Sequence, residues 1–145
     1  MALNYDVATV CIKPYAVPMA TEILAGSDVK VCAVAGFPHG NSHTGIIIAE
    51  AILACKEGAT EIDIVSNTGK VLGEDWNYVS AELKAVNDAV TAEGAILKVI
   101  FADIVLKKTE VNPFIPLGRH CFQPNNVRQG YVKGQPEPLT GNPFF

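Results

Sequence analysis

Glu61-Ile62-Asp63-Ile64-Val65 decides how this chain reads. It is a short aliphatic run of the kind that forms a buried strand, and a carboxylate stands at its centre. A second run, Ala95-Ile96-Leu97-Lys98-Val99-Ile100-Phe101, has the same character with a lysine inside it. An unpaired charge in such a place is costly, so each group must find a partner or shift its pKa. Ionisable groups held that way are candidates for chemistry.

Outward from these two runs the pattern repeats. Strand-like stretches fall at about 6–12, 29–36, 61–66 and 96–101. Between them lie helix-like segments. Pro18 opens a short one through Thr21, Ile23 and Leu24, stopped by Gly26. The segment 44–56 places Ile48, Ile52 and Cys55 on one face, with Gly58 beyond its end. The segment 75–93 is the clearest, because Trp76, Val79, Leu83, Val86 and Val90 alternate steps of three and four before Gly94. The order β-α-β-α-β-α-β with short connections demands parallel strands joined by right-handed crossovers. An open doubly wound sheet or part of a (β/α)8 barrel would produce it.

The chain of 145 residues has room for one domain of ordinary size. It is 49% hydrophobic and 18% charged, with a mean hydropathy of +0.24, which suits a packed α/β protein and excludes a disordered one. The apolar stretches are far shorter than the ~20 residues that cross a bilayer, and the amino terminus lacks a signal-peptide pattern, so a cytoplasmic protein without a membrane partner is expected. A net charge of −4 argues against nucleic acid as a partner. Cys11, Cys32, Cys55 and Cys121 are widely spaced and read as buried thiols in a reducing compartment rather than disulfides or a metal site.

The pattern stops near Phe101. Six of the nine prolines and both arginines lie within 112–145, where Glu137 is the single acidic residue. We therefore divide the chain into 1–111, the β/α part, and 112–145, an irregular and disordered tail, with 103–111 as a connecting segment.

Alternate side chains on a strand share a face. Asp63 thus points with Glu61 and Val65, Lys98 with Ile96 and Ile100, and Cys11 with Thr9 and Val7. In a barrel these sets face the interior. If the third and fourth strands are neighbours, Asp63 and Lys98 come within salt-bridge reach. Such a pair serves either as a register-fixing ion pair or as catalytic machinery.

Four segments in this order carry a resemblance: Ala8-Thr9-Val10-Cys11-Ile12-Lys13-Pro14-Tyr15, Ala35-Gly36-Phe37-Pro38-His39-Gly40, Gly58-Ala59-Thr60-Glu61-Ile62-Asp63-Ile64-Val65 and Leu97-Lys98-Val99-Ile100. So placed, they resemble the deoxyribose-phosphate aldolase family, class I aldolases on a TIM barrel, over about 6–101. The resemblance implies reversible cleavage of 2-deoxy-D-ribose 5-phosphate to D-glyceraldehyde 3-phosphate and acetaldehyde through a lysine Schiff base, with no metal and no cofactor. By position Asp63 matches the proton-relay aspartate, Lys98 a lysine that lines the site and contacts substrate, and Cys11 a cysteine near the bound aldehyde. The partner implied is a small phosphorylated sugar or aldehyde.

The resemblance ends abruptly after Phe101, where Ala102 replaces a usual acidic residue. The family's Schiff-base lysine, in a stretch like Phe-Ile-Lys-Thr-Ser-Thr-Gly, has only a faint echo in Tyr131-Val132-Lys133-Gly134. The expected chain is thus a half-barrel of four strands, truncated or mis-spliced and inactive alone. Its open edges would favour self-association. The alternative is a non-catalytic fragment that binds another subunit through its open barrel edge. An unrelated α/β binding domain is disfavoured by the Asp63 and Lys98 positions. His39 and His43 read as part of a rim loop ending in a cap from Asn41 or Ser42, not as a metal grip. Lys107-Lys108 reads as a solvated turn.

Overall fold

The computed structural model describes residues 2–5 and 7–100. The tail, the connecting segment, Lys107-Lys108, Cys121 and Lys133 lie outside the described residues. Four strands, β1 (Thr9–Ile12), β2 (Lys30–Ala35), β3 (Glu61–Val65) and β4 (Ile96–Ile100), form one parallel sheet in the order β1-β2-β3-β4. The helices are α1 (Val17–Ile23), α2 (Thr44–Lys56), α3 (Thr68–Leu72) and α4 (Trp76–Ala92). Spatial order follows chain order without a reversal. A doubly wound sheet turns back at a switch point, whereas this sheet winds in one direction, as four β/α units of a TIM barrel do.

One core holds the helices to the sheet. Val31, Ala33 and Ala35 of β2, Ile62 and Ile64 of β3, and Leu97 and Val99 of β4 are buried on a shared face with Ile47, Ala51 and Ala54 of α2 and Val79, Leu83, Val86 and Val90 of α4. Ile47, Ile62 and Ile64 are among the largest fully buried side chains, each contributing roughly 1.5–3 kcal/mol by removal from water.

Local chemistry sets the ends of the elements. Pro18 sits in the first turn of α1. Asp75 caps α4 by accepting from Tyr78 N at 3.2 Å. Gly58 follows the cap of α2 at φ +113°, where a Cβ would lie 2.4 Å from Thr21 Oγ1, so this turn takes no side chain.

Three expectations need correction, and one helix went unforeseen. The buried face of α2 centres on Ile47, Ala51 and Ala54, one residue before the expected Ile48, Ile52 and Cys55, which are half-buried. Its apolar residues nearly encircle the helix, so periodicity could not fix the face. The cap of α2 is His43, whose Nδ1 accepts from Gly45 N at 3.1 Å, because the helix starts too late for Asn41 or Ser42 to cap it. Among the described residues the strand expected at 6–12 is regular over Thr9–Ile12. Thr68–Leu72 forms a helix that Gly69 concealed; the signal was Asn67, whose side chain caps it by accepting from Lys70 N at 3.1 Å.

Candidate active site

The site grows from strand register. Asp63 pairs with Lys98 across β3 and β4, and with Val34 across β2 and β3; Cys11 pairs with Cys32 across β1 and β2. Because Ile62, Ile64, Leu97 and Val99 face the helices, alternation turns Asp63 and Lys98 to the other face of the sheet. Lys98 Nζ lies 2.8 Å from Asp63 Oδ1 and 3.2 Å from Glu61 Oε2. Cys11 Sγ donates to Asp63 Oδ2 at 3.5 Å. One carboxylate therefore faces an ammonium with one oxygen and a thiol with the other. Asp63 is only 5% exposed. Its Oδ1 is at ion-pair distance from Lys98 but lacks an aligned hydrogen-bond donor among the described residues.

The electrostatics assign protonation states. Burial by itself favours a neutral amine at Lys98, but Asp63, with Cys32 and Glu61, outweighs it and holds the group above the ordinary lysine range. Lys98 is thus an ammonium near neutral pH, suited to donating a proton or hydrogen bond and unsuited to attacking a carbonyl. The neighbouring Cys32 thiol lowers the Cys11 pKa against the opposing effects of burial and the Asp63 charge. Cys32, whose Sγ donates to Ala33 O at 3.9 Å, is shifted upward by Cys11 and by its burial.

Asp63, Lys98 and Cys11, all expected at the site, come together. Cys11, expected to be buried, is exposed, because β1 has no neighbouring strand on its outer side among the described residues. Cys32 is buried as expected, and Cys55 is half-buried. Sequence reasoning missed two members. Glu61 shares the Asp63 face by alternation, yet its contact with Lys98 needed the β3–β4 register. Cys32 joins Cys11 only through the β1–β2 register.

The Phe-Pro-His-Gly loop lies at the end of the same strands. Gly40 N donates to Gly36 O at 2.9 Å, and Gly36 N donates to Glu50 Oε2 of α2 at 2.8 Å. At Gly40, with φ +62°, a Cβ would lie 2.4 Å from the Val65 carbonyl oxygen, so the loop reaches the end of β3 only with glycine there. His39 is exposed, and His43 is occupied in capping.

No protein-family model matches the chain. A deoxyribose-phosphate aldolase from Rhodopirellula baltica is 41% identical over 107 residues, covering 74% of this chain and 44% of that protein. One from Exiguobacterium sibiricum is 42% identical over 111 residues, covering 76% and 49%. Over about three quarters of its length the chain is similar to deoxyribose-phosphate aldolases. It spans about half the length of the curated relatives it matches. Among solved structures, one assigned to a deoxyribose-phosphate aldolase from Coccidioides immitis superposes with a TM-score of 0.77 at 34% identity, covering 83% of this chain and 47% of that one. The aldolase QR15 superposes at 0.72 and 32% identity, covering 79% and 50%. That similarity explains the fold found here, a partial barrel of four parallel β/α units. Among the described residues no helix is long and apolar enough to cross a membrane.

Proposed function

We propose that the sheet face bearing Cys11, Asp63 and Lys98 is the proton-handling side of an aldolase site, acting in the reversible cleavage of 2-deoxy-D-ribose 5-phosphate to D-glyceraldehyde 3-phosphate and acetaldehyde. The observation that carries this reading is the 2.8 Å pair of Lys98 Nζ and Asp63 Oδ1 on the face turned away from the helices. In a class I aldolase a neutral lysine amine attacks the carbonyl carbon, water leaves, and the iminium takes up the electron pair as the carbon–carbon bond breaks. Asp63 relays protons in those steps. Lys98 stays cationic and contacts the substrate oxygen, and its charge lowers the pKa of a nucleophilic amine held nearby. Cys11 lines the aldehyde position. In this reading Lys98 is not the nucleophile, and the chain alone turns over little or no substrate.

Two measurements on the full chain test it. Titration with acetaldehyde, followed by NMR, is expected to shift resonances of Cys11, Asp63 and Lys98 before others; shifts confined elsewhere would remove the assignment. Borohydride trapping with acetaldehyde, read by peptide mass spectrometry, is expected to leave Lys98 unmodified. A reduced adduct on Lys98 would overturn its role as the permanent cation.

A second reading is a non-catalytic fragment that associates through its sheet edges. It is favoured by Ile96, which is 48% exposed on β4. Sedimentation at increasing protein concentration tests it, and a monomer at every concentration rejects it.

A further inference from the structure

Three strands bring two thiols and a carboxylate to one point. The Sγ atoms of Cys11 and Cys32 and a carboxylate oxygen of Asp63 all lie within 4.8 Å of one another. Widely spaced in the sequence, the three residues meet because Cys11 stands opposite Cys32 in β1–β2 and Asp63 follows on β3. We propose that they form a binding site for a thiophilic divalent cation, zinc or cadmium.

The dimensions suit such an ion. Zinc lies ~2.3 Å from a thiolate and ~2.1 Å from a carboxylate oxygen, so tetrahedral ligands stand about 3.6 Å apart for sulfur and oxygen and about 3.8 Å apart for two sulfurs. Cys11 Sγ and Asp63 Oδ2 are already 3.5 Å apart. Adjacent strands at ~4.8 Å supply the right spacing for two opposed cysteines. Magnesium and calcium prefer all-oxygen ligand sets and are excluded by the two sulfurs.

The charges are also largely balanced. Asp63 meets Lys98 through Oδ1 and the thiol through Oδ2, so the ammonium and the cation do not compete for one oxygen. Two thiolates, Asp63 and Glu61 carry four negative charges, against which a divalent ion and the Lys98 ammonium carry three positive ones, so the occupied site keeps one net negative charge. Glu61 remains a second partner for Lys98. Cys11 is exposed, so water can reach a bound ion there as its fourth ligand. Each thiol gives up its proton as the sulfur–metal bond forms, so binding releases protons and tightens as pH rises.

The site shares Cys11 and Asp63 with the proposed aldolase face but does not rest on that reading, because its test reads metal and protons rather than turnover. The full chain, reduced with a phosphine, is titrated with zinc by calorimetry in two buffers of different ionisation enthalpy, and with cadmium by thiolate-to-metal absorption. The expected result is one ion per chain, proton release and cadmium–thiolate absorption. Cys11→Ser, at an exposed position, is expected to weaken zinc binding at least 30-fold, as is Cys32→Ala. Cys55→Ser and Cys121→Ser are expected to keep the parent affinity. The proposal is overturned if zinc binds without proton release, if Cys11→Ser binds as tightly as the parent, or if Cys55→Ser or Cys121→Ser abolishes binding. Far-ultraviolet circular dichroism identifies any variant that does not fold, and Cys11→Ser then decides.

Discussion

The two faces of this sheet are built from the same four strands and obey different rules. Toward the helices β2, β3 and β4 present Val31, Ala33, Ala35, Ile62, Ile64, Leu97 and Val99, all buried and all aliphatic. On the other face stand Cys32, Glu61, Asp63 and Lys98, with Cys11 on β1. The first face is held by area removed from water, which depends little on which aliphatic residue supplies it. The second is held by specific partners: an ammonium without its carboxylate, or the reverse, is a buried uncompensated charge. Substitutions are therefore graded on the helix face and all-or-none on the other.

That contrast can be broken by measurement. The largest effect is expected from Ile64→Ala on the helix face, a loss of roughly 3–4 kcal/mol in urea unfolding from lost transfer energy and a residual cavity; Ile64→Val should cost about 1 kcal/mol. If the two cost the same, the helix face is not graded. Lys98→Met should cost about 2–3 kcal/mol by stranding Asp63, and Asp63→Asn added to it should recover part of that loss. Strict additivity of the two changes would show that the pair is not coupled.

Gly40→Ala tests the loop that ties the two faces together at the end of β3. It should cost about 2 kcal/mol, because alanine must accept φ +62° and a backbone oxygen at 2.4 Å. The alkaline limb of stability should also belong to the polar face. Folding raises the Lys98 pKa above 10.5, so its contribution is complete below that pH and is lost as pH rises through the higher folded value. Lys98→Met should flatten this limb. The smallest effect is expected for Lys84→Ala: the Lys84–Asp88 pair on α4 is exposed, and removing it should leave the unfolding midpoint unmoved.

Much of the fold was legible because strand alternation and helix periodicity are local. The positions of β2, β3, β4, α2 and α4 followed from aliphatic runs, caps and terminal glycines. Helix α3 was hidden by its shortness and by Gly69, and the face of α2 by an apolar residue at almost every position. Within the site, Asp63 and Lys98 stood out because charge is conspicuous in an aliphatic strand. Cys32 did not, since a thiol among aliphatic residues has the look of ordinary core. Glu82 was equally silent: it is buried on α4 and accepts from Thr44 Oγ1 at 2.7 Å, tying the start of α2 to α4.

The amino-acid order alone determined that the chain alternates strands and helices, and that a carboxylate and an amine lie on strand faces where charge demands a partner, because both follow from the side chains of near neighbours. Only the tertiary structure decided the sheet order, the register that sets Lys98 opposite Asp63 and Cys11 opposite Cys32, and the exposure of Cys11. Those depend on which distant segments hydrogen-bond side by side. A shift of one residue in that pairing would have turned the same strands inside out.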